Sequence, residues 1–149
     1  MRLPVLTLTA ALSLLALQAP AQSPEFGDDS GSYTRDGECD DRRFFGPDTA
    51  PDIDSENIGR DASDCRAAFE AGTAFIWNQS EAAAATSCEA IDFGNDGSDY
   101  ADDGECDDPR FEGIGAATTL LSGDRGRDAT DCRRLCELEA IFIREYGTY

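Results

Sequence analysis

The sequence contains no histidine and no lysine; all 12 of its basic residues are arginine, set against 31 aspartates and glutamates. Without histidine there is no Ser-His-Asp triad, no HExxH zinc site and no side chain that ordinarily titrates near pH 7. Without lysine there is no Schiff-base chemistry and no P-loop. Cys-x-x-Cys is also missing, so a cysteine zinc or redox site is not expected. Ser63 and Ser122 have no histidine to activate them. The acid–base chemistry left is a carboxylate pair of the glycoside-hydrolase kind, and two thin modules offer little room for a substrate cleft. No enzymatic activity is expected.

What is present is acid. The net charge is −19 over 149 residues, which repels nucleic acid and anionic membranes and leaves a protein as the expected partner. This length allows one modest domain or two small ones, each with a thin core. Met1–Arg2, the apolar run Val5–Leu17 and the small-x-small triplet Ala19-Pro20-Ala21 read as a signal peptide over residues 1–21, cleaved after Ala21. Thirteen apolar residues are too few to span a bilayer. The mature chain is expected in the periplasm or outside the cell, where disulfides form.

The chain repeats itself. Aligning residues 26–76 with 93–143 needs no gap and gives 25 identities in 51 positions, at a constant offset of 67. Asp36-Gly37-Glu38-Cys39-Asp40-Asp41 recurs as Asp103-Gly104-Glu105-Cys106-Asp107-Asp108, and Gly59-Arg60-Asp61-Ala62 as Gly126-Arg127-Asp128-Ala129. The expected fold is small α+β and disulfide-rich, with two tandem modules over 22–79 and 93–149 and a linker over 80–92. Helices are expected from Asp61 and Asp128, which read as N-caps, with Asp64 and Asp131 complementing the helix dipole. Gly72 ends the first. Thr73–Trp77 and Ala90–Phe93 read as short strands, and Ser80–Ser87 as a short helix. Ala116–Leu121 has the composition of another short helix.

Six cysteines allow 15 pairings. Cys39 and Cys65 match Cys106 and Cys132, each pair 26 apart. The simplest pairing is within each copy. Cys88 and Cys136 have no counterpart and are left for each other. Closing a 26-residue loop is worth about 3.5 kcal/mol in the chain-entropy model.

The within-copy bridges carry a spatial consequence. Cys39–Cys65 would bring Asp36 and Asp40 to Asp61 and Asp64; Cys106–Cys132 would bring Asp103 and Asp107 to Asp128 and Asp131. Short carboxylates among glycine turns are the ligands Ca²⁺ takes, six to eight oxygens at about 2.3–2.6 Å. One Ca²⁺ site per copy is therefore expected, although no frame satisfies the EF-hand loop. In the competing reading the same aspartates only cap helices, Arg43 and Arg110 neutralise their neighbours, and the chain is a metal-free disulfide-rich interaction or inhibitor protein. Trp77, Phe75, Phe44 and Phe45 would then offer a contact surface or, more simply, core.

The run Asp-Gly-Glu-Cys-Asp-Asp-Pro-Arg-Phe at 103–111, followed by Gly-Arg-Asp-Ala-Thr-Asp-Cys-Arg at 126–133, resembles a repeat of secreted bacterial proteins of no assigned function. Asp103-Gly104-x-Cys106-Asp107 and Asp128-x-x-Asp131-Cys132 more distantly resemble the Lin-12/Notch repeat, a small extracellular module with three disulfides around one Ca²⁺. That resemblance implies Asp128 and Asp131, and Asp61 and Asp64, as calcium ligands. Each copy here has two repeat-matched cysteines rather than six.

Overall fold

A computed structural model describes residues 23–147; the leader expected over 1–21 lies outside them. The described residues form a small mixed α/β fold: β1 (Cys39–Asp41), β2 (Phe44–Phe45), β3 (Thr49–Asp54), α1 (Ala62–Ala71), β4 (Phe75–Ile76), α2 (Gln79–Ala85), β5 (Phe111–Glu112), β6 (Thr119–Leu120), α3 (Ala129–Glu137) and β7 (Phe142–Ile143). No helix among them is long and apolar enough to cross a membrane. Three disulfides, Cys39–Cys65, Cys88–Cys136 and Cys106–Cys132, use every cysteine.

Contacts recur at the 67-residue offset. Phe26 stacks on Phe44 at 5.7 Å, and Phe93 on Phe111 at 5.5 Å. The Arg66 guanidinium lies over the Phe26 ring, and that of Arg133 over the Phe93 ring. β2 pairs antiparallel with β4, and β5 with β7. Each stack, with its disulfide and one face of α1 or α3, forms an apolar cluster. In α3 the buried apolar residues Cys132, Leu135 and Cys136 fall at i, i+3 and i+4, the spacing of a single helix face.

The close approach of two turns in each copy requires glycine. Gly27 has φ +82°, and a Cβ placed on it would collide with the Gly59 carbonyl; Gly94 has φ +81° and meets the Gly126 carbonyl in the same way. The gap is filled by hydrogen bonds from the Asp28 and Asn95 amides to those carbonyls. Gly94→Ala combines a left-handed backbone with a backbone collision, and is expected to cost at least about 2 kcal/mol, read as a lower urea midpoint at unchanged slope.

The two copies also share structure. β3 pairs with β1 on one side and with β6 on the other, so Ile53, Leu120 and Ala117 pack into a third cluster. Here local composition misleads. Ala116–Leu121 is not a helix, because pairing with the β3 edge draws Thr119–Leu120 into a strand. Ala90–Phe93 is not a strand either: a 3-10 turn occupies Cys88–Ala90 beside the Cys136 bridge, and Phe93 turns into the core. Phe44 and Phe45 are buried, which removes them from any contact surface.

A buried ion triad ties the copies together. Glu112 accepts from Arg42 Nε at 2.7 Å and Nη2 at 2.9 Å, and from Arg144 Nη1 at 2.7 Å. The spare donors of both arginines reach the carbonyls of Phe44, Ala117 and Thr118. At the repeat offset these three positions hold Pro109, Phe45 and Trp77. The copies therefore differ where they meet.

Candidate metal centres

The Cys39–Cys65 bridge lays β1 against the start of α1, and Cys106–Cys132 does the same for residues 106–108 and α3. Asp61 and Asp128 stand just before the helices, yet neither side chain makes a capping hydrogen bond. The helix N-termini are instead held from a distance. Asp29 accepts from the Ser63 amide and hydroxyl, and Asp96 from those of Thr130. This frees Asp61 and Asp128 to point elsewhere.

They point at the first strand of each copy. The Asp40 amide donates to Asp61 Oδ2 at 2.8 Å, and the Asp107 amide to Asp128 Oδ2 at 2.8 Å. Asp64 Oδ2 accepts from the Gly37 amide at 3.3 Å and Asp131 Oδ2 from the Gly104 amide at 2.9 Å. Asp36 and Asp103 accept from the amides of Glu38 and Glu105. In each copy backbone amides thus link the aspartates of the first strand region to those at the helix start. Among the described residues, however, no three of the four carboxylates lie within 4.8 Å of one another; the groups that close are Asp61 with Cys39 and Cys65, and Asp128 with Cys106 and Cys132.

The centre of each group is buried and unsatisfied. Asp40, Asp61, Asp107 and Asp128 are 8, 1, 7 and 0 % exposed. One oxygen of each, Asp40 Oδ2, Asp61 Oδ1, Asp107 Oδ2 and Asp128 Oδ1, accepts no hydrogen bond from any described group. Burial, then repulsion from Asp36, Asp61, Glu38 and Asp64, pushes Asp40 up to about 7. Burial and the charges of Asp103, Asp128, Asp124 and Glu105 push Asp107 up to about 6. Asp128 also rises to about 6, chiefly through burial, against the pull of the Asp107 amide. Asp61 rises for the same leading reason. A buried carboxylate oxygen without a partner costs free energy, and each copy holds two.

The arginines do not relieve them. Arg43 chelates Asp41, with Nη2 at 2.5 Å from Oδ2 and Nε within 3.1 Å of both oxygens; Arg110 treats Asp108 alike. Asp41 and Asp108 take a further bond from the Gly59 and Gly126 amides, at 2.7 and 2.6 Å. Among the described residues the second copy has partial relief, because Arg134 lies 3.3 Å from Asp131. Its counterpart in the first copy is Ala67.

The sulfurs next to the carboxylates are not ligands. Cys65 Sγ lies 3.6 Å from Asp61 Oδ2 and Cys132 Sγ 3.5 Å from Asp128 Oδ2, but a disulfide sulfur carries no proton to donate and no thiolate charge for zinc. The donor set is all oxygen. Such a set suits a hard divalent cation, and Ca²⁺ better than Mg²⁺, which keeps several waters and rarely takes an all-protein cage.

The sequence offered a faint signal for the capping role of Asp29 and Asp96, which are themselves a repeat pair. Glu38 and Glu105 border the sites; the sequence places them in the acidic clusters but not among the expected ligands. No family model, curated protein or solved structure matches this chain.

Proposed function

We propose that this chain is a secreted, non-enzymatic, disulfide-stapled scaffold of two tandem modules, each organised around one structural Ca²⁺ held by Asp36, Asp40, Asp61 and Asp64 or by Asp103, Asp107, Asp128 and Asp131. The observation that carries this reading is the set of four buried carboxylate oxygens without partners, at repeat-equivalent positions. A cation of charge +2 supplies what hydrogen bonds and arginines leave undone in both copies. The three disulfides and the leader pattern support a place outside the cytoplasm.

Calorimetric titration of the oxidised protein with calcium is expected to give about two ions per chain, with a higher melting temperature than in EDTA. Asp128→Asn removes one ion, and it has opposite effects in the two conditions. It lowers the melting temperature in calcium and raises it in EDTA, because the amide removes an unpaired buried charge. No heat of binding, together with melting insensitive to chelator, would sink the calcium reading and leave the metal-free interaction protein.

A further inference from the structure

We infer that the cavity where the two copies meet, beside the Glu112 triad, binds a small carboxylic acid with an apolar body. The cavity measures about 470 Å³, within the range of sites that take small organic molecules. Its apolar wall is Ile58, Ile76, Trp77 and Ala116. Ile58 and Ile76 are 45 and 44 % exposed although large and apolar. Trp77 is held by backbone and ring: its amide donates to the Arg43 carbonyl at 2.9 Å, and its Nε1 to the Ile143 carbonyl at 3.3 Å.

The remaining wall is positive, in a chain whose net charge is −19. Among the described lining residues Arg42 and Arg43 stand against a single acid, Glu112. Glu112 is shared between Arg42 and Arg144, so the triad carries two positive charges against one negative. Arg43 chelates Asp41 through Nε and Nη2, and its Nη1 donates to no described group. The other copy uses the same donor: Nη1 of Arg110 reaches the Asp92 carbonyl at 2.8 Å. A bound carboxylate supplies an acceptor for Arg43 and a second counter-charge for the triad, while its apolar body covers Ile58, Ile76 and Trp77. A cationic ligand meets two guanidiniums instead. The second copy does not duplicate this wall, because Ile58 and Trp77 become Arg125 and Arg144. None of the eight aspartates of the proposed ion sites lines the cavity, so the inference stands apart from calcium.

Trp77 is the single tryptophan of the chain, so its fluorescence reads this cavity directly. The probe is octanoate, ionised at about pH 7.5, titrated into the oxidised full chain near physiological salt, where the field of distant acids is screened beyond about 8 Å. The expected result is a saturable change in emission, with octanol and octylamine, the neutral and cationic analogues, binding at least about tenfold more weakly. Arg43 also holds the buried Asp41, so the variant is placed at the exposed Ile58, outside the core clusters. Ile58→Glu sets a like charge on the wall and is expected to weaken octanoate at least about tenfold. Leu138→Glu adds the same charge at a residue 68 % exposed and outside the lining, and leaves binding within about twofold of the parent. Equal losses from the two variants, octanol or octylamine binding as tightly as octanoate, or no saturable change with octanoate would each overturn the inference.

Discussion

Glu112→Ala is expected to be the most damaging single substitution outside the disulfides, at about 3–5 kcal/mol. The side chains of Arg42, Glu112 and Arg144 are only 9, 12 and 5 % exposed. Removing the carboxylate leaves two guanidiniums buried beside one another with no counter-charge. Arg144 is already depressed to about 10, by burial first and by Arg42 as well, with Glu112 holding it up. The cost has two parts, the lost ion pairs and the repulsion uncovered. Urea unfolding separates them: Glu112→Ala with Arg42→Met and Arg144→Met should recover most of the stability, because an apolar cluster of similar volume can replace a buried ion triad. A Glu112→Ala midpoint within error of the parent would show that the triad does not hold the copies together.

The second large effect is a dependence on pH that runs opposite to ordinary acid denaturation. Asp40, Asp61, Asp107 and Asp128 all have folded values above those of an unfolded chain. Between pH 4 and about 7 the folded protein therefore binds more protons than the unfolded one, and stability falls as pH rises through this window. For Asp40 alone, raised from 3.8 to about 7, the cost at neutral pH is on the order of 4 kcal/mol. The four groups interact in pairs, so their costs do not add simply. In EDTA the melting temperature should accordingly be higher at pH 5 than at pH 7.5. Calcium binds the deprotonated carboxylates and should reverse the order. A chelated protein that gains stability from pH 5 to 7.5 would contradict the buried, unpaired state of these carboxylates.

Much of this molecule was legible because it was written twice. The 67-residue offset singled out Cys39, Cys65, Cys106 and Cys132 and left Cys88 and Cys136 for each other, and the structure has those three bridges. It also set Asp40 near Asp61 and Asp107 near Asp128, which the structure joins through the Asp40 and Asp107 backbone amides. The starts of α1 and α3 were readable from Asp61 and Asp128, but for the wrong reason. Sequence adjacency suggested side-chain caps, whereas the capping groups, Asp29 and Asp96, lie more than 30 residues upstream. Ala116–Leu121 was misread because its composition is local, while the β3 edge that claims it is not. The triad was hidden for a related reason. Residues 42, 112 and 144 are far apart in sequence and belong to no motif; their signal was the mismatch with Pro109, Phe45 and Trp77 in an otherwise similar alignment.

The positions of the disulfides set how the chain responds to cutting. Cys39–Cys65 closes within the first copy, and both partners of Cys88–Cys136 and of Cys106–Cys132 lie after α2. No bridge crosses the segment between Trp77 and Cys88. One peptide-bond cleavage there, for example in α2, separates the chain into two covalently independent pieces even when every cysteine is oxidised. The pieces would then be held by non-covalent contacts alone, among them β3 against β6, the Glu112 triad, the Phe45–Tyr146 ring contact and the bond from Trp77 Nε1 to the Ile143 carbonyl. Their union would become a second-order equilibrium, whose stability depends on dilution as that of the intact chain does not. The single backbone crossing over α2 thus acts as the tether that keeps the two halves at high effective concentration.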